Sequence, residues 1–534
     1  MTAASPSDGC CWVRPLGLEE TLMEAYHSIN NMTISHALWL SSTTPLTHST
    51  FSNSLWDLYR SLPNLRHCVR THPETSSPWY HKMDTITRDL LDLQEVRGQR
   101  FSQVYQRVMH TQYPLHHGPL WCVRYLDLQH NIDDSYMDPS DDTPLEYSSP
   151  HAVEDDGEGH SPKNKPSSDR EDITTSVGDV DNSMIVGAKT SCVKELHRYI
   201  VIFGFCHLIT DGVSNMRITH HFLHLLNQEL KGVTRKVVEL GVFKSPVAEE
   251  QGLNRRKSDP VFASYVPKLC DAPLYLSLYP PATADSTKAR TETLFLPGLT
   301  VGQTQALRNK CRTEGLSFHA AFTSAAVIAM VQLLHDAPCQ DSRVKDLDRM
   351  STLHDVNCRR YWPQPHQDVL GVHAAILQLS FPTPGGPMGD GGFWRYAKQL
   401  HTHLKEALTR QLVVQQLVCD PSLQAPEEII REGQDRSLTS AYFGITNLCD
   451  LTSLISGTGD PVDLTSAPGE VTPALLTRVH HSTTCHFTGV VCQHLIHTFR
   501  GRLLYNLDFF TDKMRREEAT KYAHLTLHFL LRSI

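Results

Sequence analysis

The stretch "RYIVIFGFCHLITDGVSNMRITHHFLHLLN", Arg198–Asn227, decides how this chain can fold. Its first part, Tyr199–Cys206, is an almost unbroken run of β-branched and aromatic residues, which predicts a buried strand. The apolar residues after Ser214 recur at helical spacing and predict an amphipathic helix. His207 therefore lies where a buried strand gives way to a loop, which is the usual location of a site residue on a rigid scaffold.

The residues at this junction each have a functional and a structural interpretation. The imidazole of His207 can take a proton at neutral pH, or it can be a hydrogen-bonded core histidine. Asp211 is expected at the N-terminus of the next helix, where a carboxylate serves as a cap or ion-pair anchor without touching a substrate. Gly212 is expected to allow a tight turn, because glycine can adopt a positive φ. Cys206 is predicted to be a packing residue, because adjacent side chains in a strand point to opposite faces.

A second strand-like run, "GPLWCVRYLDLQ" (Gly118–Gln129), is predicted to form a hairpin with Tyr199–Cys206. Residues 131–190 between them contain 15 acidic and 4 basic residues and are rich in Ser, Pro and Gly. Because this segment cannot bury enough apolar surface to offset its ordering entropy, it is predicted to be a disordered insertion; a phosphorylatable regulatory segment is the alternative. The rest of the chain is nearly neutral, which gives no electrostatic reason to expect a nucleic-acid partner.

Helix-like and strand-like segments alternate through the remaining sequence, which indicates an α/β protein with mixed sheets in both halves. At 534 residues the chain exceeds what one core usually organises, so two domains or lobes are expected. Helical patterns cover Gly17–Ile29, a segment ending near Pro63, Thr300–Gly315, Ser317–His335, Gly391–Gln411 and a segment from Thr511. Strand patterns cover Thr291–Gly298, His373–Phe381, Ser440–Leu448 and His480–Phe510, the last with a turn near Arg500-Gly501.

Several classes of protein are disfavoured by the sequence. No apolar run approaches the roughly 18 residues that span a bilayer, and the first residues lack the pattern of a signal peptide, so a soluble cytoplasmic protein is expected. The 14 cysteines show no C-x-x-C pair, which favours reduced thiols. The histidine pairs have neither the H-E-x-x-H pattern nor a cysteine partner at zinc spacing, so no metal site is expected. These pairs are His116-His117, His220-His221 and His480-His481.

Six segments resemble the coenzyme A-dependent acyltransferase superfamily, which includes chloramphenicol acetyltransferase, condensation domains of nonribosomal peptide synthetases, alcohol acetyltransferases and plant BAHD acyltransferases. "CHLITDG" (Cys206–Gly212) resembles the family motif H-H-x-x-x-D-G, with cysteine in place of the first histidine. The other segments follow the family's order and skip the acidic insertion. They are Arg14–Leu40, Leu62–His72, Gly118–Leu128, His354–Ile376 with the V-N-x-R pattern, and Tyr442–Leu451, which is similar to the S-N-x-G strand.

The resemblance implies two chloramphenicol acetyltransferase-like lobes, each a mixed sheet flanked by helices, with an active-site tunnel between them. The corresponding boundaries are 1–231 for the N-terminal lobe, 232–290 for a crossover and 291–534 for the C-terminal lobe. It implies no bound cofactor. A small-molecule acyl donor, with acyl-CoA as the expected co-substrate, and an alcohol or amine acceptor would enter from opposite faces; a carrier protein is the alternative source of the acyl group.

The resemblance also implies roles for individual residues. His207 matches the family's general base. Asp211 matches an aspartate that points away from substrate and pairs with an arginine of the other lobe, for which Arg359 is the best match and Arg360 the alternative. Asn447 is expected to position the acceptor or, equally, to be a turn asparagine.

Two cysteines mark departures from the family pattern. Cys206 replaces the first motif histidine, and Cys449 replaces the glycine of the S-N-x-G strand. A catalytically inactive relative that keeps the fold for binding is therefore the alternative function. His207 argues against it, because a pure binding protein has no need of a base.

Overall fold

Two mixed β-sheets form the framework of the chain in the computed structural model. The structure describes residues 11–29, 31–83, 87–135, 196–233, 237–246, 272–281, 289–339, 341–362, 369–384, 391–419, 439–456, 473–484 and 489–534. The strands are β1 (Trp12–Pro15), β2 (Thr33–Ser42), β3 (His67–Thr71), β4 (Pro78–Lys82), β5 (Leu93–Val96), β6 (Trp121–Asp127), β7 (His197–Cys206), β8 (Val242–Phe243), β9 (Thr291–Leu296), β10 (Arg349–Asn357), β11 (Val369–Leu370), β12 (Ala374–Pro382), β13 (Ala441–Asp450), β14 (Ala474–Thr483), β15 (Val490–Phe499) and β16 (Arg502–Phe510). The helices are α1 (Leu18–Ile29), α2 (His48–Ser61), α3 (Phe101–Met109), α4 (Gly212–Leu230), α5 (Tyr275–Leu278), α6 (Val301–Glu314), α7 (Phe318–His335), α8 (Gly392–Thr409), α9 (Leu412–Cys419), α10 (Leu451–Ser456) and α11 (Arg516–Arg532).

The first sheet has the strand order β14-β2-β7-β6-β5, and the second has the order β12-β10-β13-β15-β16-β9. In the first sheet β5 runs parallel to β6, whereas β6 and β7 are antiparallel. In the second sheet β10, β13 and β15 are parallel to one another. Helix α3 packs on β2 and β7, and α7 packs between α8 and α11 and against β13. The predicted α/β class, with two mixed sheets flanked by helices, is confirmed, and both sheets belong to one compact unit.

The two predicted hairpins are present. Strands β6 and β7 are antiparallel over Trp121–Asp127, with Asp127 opposite Tyr199. Strands β15 and β16 are joined by Arg500 and Gly501, whose φ angles are 50° and 78°. Positive φ at both central residues is what a type I′ hairpin turn requires, and it matches the twist of the strands that it joins.

The predicted helices are present, although the last begins later than predicted, and four further helices of the described ranges, α3, α5, α9 and α10, were not predicted. Helix α6 ends at Gly315, which adopts a left-handed φ of 71° that favours glycine. Helix α11 begins at Arg516 instead of Thr511. The backbone N–H groups of Lys513 and Met514 both donate to the carbonyl of Phe510 at 2.8 Å, so these residues form turns before the helix starts.

Strand β14 lies in a sheet that the sequence pattern did not predict for it. It pairs with β2 from Ala474, opposite Ser42, to Thr483, opposite Ile34, so a segment of the predicted C-terminal lobe completes the first sheet. Nine of the ten residues of β14 are buried or part-buried. A strand-like sequence does not identify its partner strand, because strand pairing is set by tertiary packing.

The predicted insertion, 131–190, begins too early. Asp133 accepts hydrogen bonds from Trp39 Nε1 at 2.7 Å and from Arg478 at 3.1 Å. Asp134 accepts from the backbone N–H of Ser102 at 2.8 Å and from its hydroxyl at 2.6 Å, at the start of α3. Residues 131–135 are therefore part of the fold, and the predicted disorder of residues 136–190 lies outside the described residues.

Replacing residues 136–195 with a Gly/Ser linker of about ten residues should leave the free energy of unfolding within about 0.5 kcal/mol of the original value. The matched deletion of 131–195 should cost about 2 kcal/mol more, because it removes the part-buried hydrogen bonds that the carboxylates of Asp133 and Asp134 accept. Urea denaturation of the two variants measures the difference. Equal stability of both would show that residues 131–135 do not stabilise the fold.

Segment 232–290, the predicted crossover, is described in part. The backbone N–H of Leu240 donates to Ser61 at 2.7 Å, and β8 pairs with β11. Further along, the hydroxyl of Tyr279 donates to the carbonyl of Leu333 in α7 at 2.6 Å. The described residues near the start of the segment therefore contact both halves of the chain, and Tyr279 near its end contacts the C-terminal half.

Helix α7 is the one described helix that is long and apolar enough to cross a membrane. It has 18 residues, and 67% of them are buried inside the protein. Burial on this scale is typical of a core helix, and its packing against α8 and α11 accounts for its composition.

Candidate active site

His207 directly follows β7 and lines a cavity between the two sheets. Its backbone N–H donates to the carbonyl of Met32 at 2.8 Å, which ties the residue to the strand β2 that pairs with β7. The cavity has a volume of about 340 Å³, within the range that suits the reacting part of a small molecule. The first sheet and its neighbours contribute Met32, Ile34, His207 and His481 to its wall, and the second sheet contributes Leu353, Asp355, Thr446 and Gln493.

The environment of His207 favours the neutral imidazole. Burial lowers the pKa of His207 below its ordinary 6.5, and its own backbone, the Asp211 carboxylate and the backbone of Thr210 oppose this shift more weakly. Nδ1 of the ring is buried, and no described side chain hydrogen bonds to it. His207 is therefore held without an orienting carboxylate of the kind found in a Ser-His-Asp triad.

Asp211 and Arg359 form a buried ion pair. Asp211 is 1% exposed, Arg359 is 4% exposed, and a guanidinium nitrogen of Arg359 donates to Asp211 Oδ2 at 2.7 Å. The backbone N–H groups of Ser214 and His373 also donate to the carboxylate, each at 2.8 Å. Burial alone would raise the pKa of Asp211, but Arg359 outweighs it and holds the pKa well below its usual range.

This ion pair links the motif to the V-N-x-R segment of the other half of the chain. Asp211 is the N-cap of α4, since its side chain accepts from the Ser214 N–H. The second guanidinium nitrogen of Arg359 donates to the hydroxyl of Ser214 at 2.8 Å and to the carbonyl of Gly371 at 3.3 Å. Arg360, the alternative partner, is exposed, and its guanidinium lies over the ring of Tyr361. The structure therefore brings Asp211 together with Arg359.

Gly212 does not have a positive φ, and it is the first residue of α4. Its backbone lies close to Leu448, and a Cβ at this position would come within 2.6 Å of a methyl group of that leucine. The missing side chain thus allows α4 and the end of β13 to approach each other beside the cavity. A close approach, instead of a turn, explains the glycine.

Asn447 lines the cavity near the end of β13, but its side chain also stabilises a turn. Asn447 Oδ1 accepts from the backbone N–H of Cys449 at 2.8 Å. Cys449 has a φ of 62°, in the left-handed region that favours the glycine of the family pattern. Cys206, in contrast, is fully buried, and burial raises the pKa of its thiol to about 12, as expected for a packing residue.

Asp355, Thr446 and Gln493 form a hydrogen-bonded group in the cavity wall that sequence reasoning missed. Thr446 Oγ1 donates to Asp355 Oδ2, and Gln493 Nε2 donates to the same oxygen at 3.1 Å. The glycine at 444 makes room for this group, because a Cβ there would lie 1.7 Å from Gln493 Oε1. Burial raises the pKa of Asp355 to about 6, and the hydrogen bond from Thr446 opposes the shift.

The alternation of residues along β10 could have identified Asp355 as a candidate site residue. Residues at alternate positions of a strand share one face, and Leu353, Asp355 and Asn357 all line the cavity from β10. Asp355 also lies four residues before Arg359 in the V-N-x-R segment. Gln493 had no comparable signal, because its role depends on the pairing of β15 with β13.

His481 and Thr483 bring a second set of polar groups to the cavity from β14. His481 is 2% exposed, neither ring nitrogen has a hydrogen-bond partner among the described residues, and burial holds its pKa well below the ordinary value. The sequence showed the His480-His481 pair without indicating that β14 reaches the site. Within the described ranges, no three His, Cys, Asp or Glu side chains are grouped as metal ligands.

Comparisons with known proteins agree on the fold. No protein-family model matches the sequence, and no curated protein matches it either. Among solved structures, a trichothecene 15-O-acetyltransferase from Fusarium sporotrichioides is similar with a TM-score of 0.59 and 10% identity, over 97% of this chain and 94% of that chain. Polyketide synthase associated protein 5 from Mycobacterium tuberculosis has a TM-score of 0.56 and 11% identity, over 98% of both chains. The first condensation domain of the calcium-dependent antibiotic synthetase has a TM-score of 0.56 and 12% identity, over 98% of this chain and 96% of that chain.

The chain therefore shares the fold of these solved acetyltransferase and condensation-domain structures, with two mixed sheets flanked by helices. The expected architecture is therefore confirmed along nearly the whole chain. At identities of 10–12% this similarity establishes the fold but not the reaction, which depends on the residues of the cavity.

Proposed function

We propose that the protein is an acyltransferase that moves an acyl group from a thioester, most simply acyl-CoA, to an alcohol or amine, with His207 as general base. The observation that carries the proposal is the position of His207, which lines a cavity between the two sheets. Burial lowers the pKa of its imidazole and so favours the uncharged form at neutral pH. No cofactor is part of the proposal, and the site is proposed to act in the cytoplasm. A carrier protein is the alternative holder of the acyl group.

The proposed reaction is a direct transfer without an acyl-enzyme. The neutral imidazole of His207 removes the proton from the hydroxyl or amine of the acyl acceptor as that atom forms a bond to the thioester carbonyl carbon. The tetrahedral intermediate then collapses, the carbon–sulfur bond breaks, and the departing thiolate takes the proton from the imidazolium. An ester or amide and free CoA thiol result, and the base returns to its neutral form.

The ion pair of Asp211 supports this assignment of roles. Its carboxylate is occupied by Arg359 and by two backbone N–H groups, so it is not available to accept a proton from a substrate. Its low pKa keeps it ionised, which makes it a poor proton carrier at neutral pH. His207 is the residue of the motif that remains free for proton transfer, and Asp211 with Arg359 is proposed to hold the loop that carries it.

Release of free thiol from acyl-CoA tests the proposal against the alternative of a binding protein. The purified protein would be incubated with acyl-CoAs of two to sixteen carbons, each with and without a panel of alcohols and amines. Acyl transfer predicts thiol release that saturates in both substrates and requires the acceptor, with one ester or amide formed per thiol. Binding without any acceptor-dependent thiol release across the panel would favour the inactive relative.

With an uncharged alcohol as acceptor, the pH dependence of kcat/KM should show an acidic limb centred below pH 6.5. Only the neutral imidazole is a base, and burial lowers the pKa of His207, so activity is present above this pKa and is lost as the pH falls through it. A profile from pH 4.5 to 9 measures the limb. Because burial raises the pKa of Asp355, in the same cavity, to about 6, the profile of Asp355→Asn serves as the control and should keep the limb. A limb centred above pH 7 would contradict the assignment.

A further inference from the structure

The carboxylate of Asp355 lines the cavity, and no cationic side chain in the part of the chain that the structure describes forms an ion pair with it. The other ionisable groups that line this cavity do not supply a cation: Asp211 is neutralised by Arg359, and burial favours the uncharged forms of the rest, which are His207, His481 and Cys449. The two groups that donate to Asp355, Thr446 and Gln493, are neutral. Asp355 is part-buried and faces a largely apolar cavity, where a carboxylate that has only neutral donors is stabilised by a cation, so the site suits a cationic group supplied by a ligand.

The hydrogen bonds to Asp355 leave one of its oxygens open. Both described donors contact Oδ2, and no described residue donates to Oδ1. Gln493 Nε2 also donates to Thr446 Oγ1 at 2.9 Å, so the three side chains fix one another and hold the carboxylate in one orientation. A carboxylate that is oriented by neutral donors on one oxygen presents its other oxygen, with its negative charge, to a bound molecule.

The position of the group on the sheet explains why it is rigid. Asp355 lies on β10 next to Thr446 on β13, and Gln493 extends from β15 across the space left by the glycine at 444. Binding groups that are built on adjacent strands of a sheet are held more precisely than groups on loops. The arrangement is therefore suited to selecting a ligand rather than to filling space.

We propose that the acyl acceptor carries a protonated amino group, separate from the hydroxyl or amine that is acylated, and that Asp355 binds this ammonium group. The amino group that Asp355 binds and the group that is acylated must be different groups, because an ammonium nitrogen has no lone pair with which to attack a thioester. The substrate class is thus an amino alcohol or a diamine. The inference rests on the proposed acyl transfer, and it names the acceptor that the same cavity would take.

The charge of Asp355 at neutral pH agrees with this assignment. With a pKa of about 6, the carboxyl group is mostly ionised at pH 7.5, and a bound cation would stabilise the ionised form further. An alcohol that carries a methyl group in place of the ammonium gains less from the same site, because a methyl group neither donates a hydrogen bond to the carboxylate nor attracts its charge.

An isosteric pair of ligands, 6-aminohexan-1-ol and heptan-1-ol, tests the inference by binding alone. Ligand-observed NMR at pH 7.5 would give Kd for each with wild-type protein, with Asp355→Asn, with Asp355→Glu and with Asp348→Asn as a matched exposed carboxylate. Wild-type protein should bind the amino alcohol at least about tenfold more tightly than heptan-1-ol. Asp355→Asn should bring the ratio close to one, Asp355→Glu should restore part of it, and Asp348→Asn should not change it. Equal binding of the two ligands by wild-type protein would overturn the proposal.

Turnover with the same pair separates this inference from the proposed reaction. Asp355→Asn should lower kcat/KM for 6-aminohexan-1-ol at least about tenfold more than it lowers the value for heptan-1-ol, whereas the matched exposed variant Asp348→Asn should change neither value. If Asp355 selects the amino alcohol in the binding experiment but no acyl transfer occurs, the cation site stands and the proposed reaction fails. If both alcohols are acylated and Asp355→Asn slows them equally, or changes the KM for acyl-CoA instead, acyl transfer stands and the cation site is wrong.

Discussion

Replacing His207 with alanine should lower the rate of acyl transfer at pH 7.5 by about 10²- to 10⁴-fold, which is the usual contribution of a positioned general base. The imidazole is the one group of the H-x-x-x-D-G motif that lines the cavity free of an ion pair, and its lowered pKa keeps it neutral at this pH. The loss should appear in kcat, since proton removal from the attacking atom belongs to the transition state. Steady-state kinetics of thiol release with a saturating acyl donor measures it.

Three controls show whether this loss reports chemistry. His117→Ala removes an exposed histidine that does not line the cavity and should leave the rate unchanged. Added imidazole should restore part of the activity of His207→Ala, because it can occupy the space left by the missing ring. The melting temperature of His207→Ala should stay within a few degrees of that of the wild type. A variant that folds and still turns over at the wild-type rate would remove His207 from the mechanism.

Much of the first sheet could be predicted because its signals are local. The run before His207 is apolar on both faces, and the matching run at Trp121–Asp127 makes an antiparallel neighbour the simplest partner. Asp211 as N-cap follows from the residue type at the start of a helical pattern. Its contact with Arg359, 148 residues away, could not be derived from periodicity and came only from the family resemblance.

The unpredicted parts of the site depend on long-range pairing. Strand β14 brings His481 into the cavity by pairing with β2, although the two segments are separated by about 440 residues in the chain. Gln493 reaches Asp355 only because a residue without a side chain lies opposite it on β13. Neither arrangement produces a recognisable residue spacing in the sequence, because the register between strands is decided by the packing of both faces of the sheet in the folded protein.

Replacing Arg359 with methionine should cost roughly 3–5 kcal/mol of the free energy of unfolding, because it leaves the carboxylate of Asp211 buried without its cation. Asp211→Asn should also be strongly destabilising, since it leaves the guanidinium of Arg359 uncompensated. The double variant should be less destabilised than the sum of the two single changes, because neither charge is then left alone. Urea denaturation of the four proteins completes a double-mutant cycle. Additive costs would show that the two side chains do not stabilise each other.

The penalty of Arg359→Met should also shrink as the pH is lowered through about 4, the pKa of an aspartate in an unfolded chain. In the wild type the pKa of Asp211 is held below that value, so the stability it contributes is present above pH 4 and is lost as the pH falls toward the folded-state pKa. In the variant burial raises the pKa of Asp211 without opposition from a cation, so protonation relieves the unpaired charge. An unfolding penalty that is the same at pH 3.5 and pH 7 would mean that Arg359 stabilises the loop through its bonds to Ser214 and Gly371 and not through its charge.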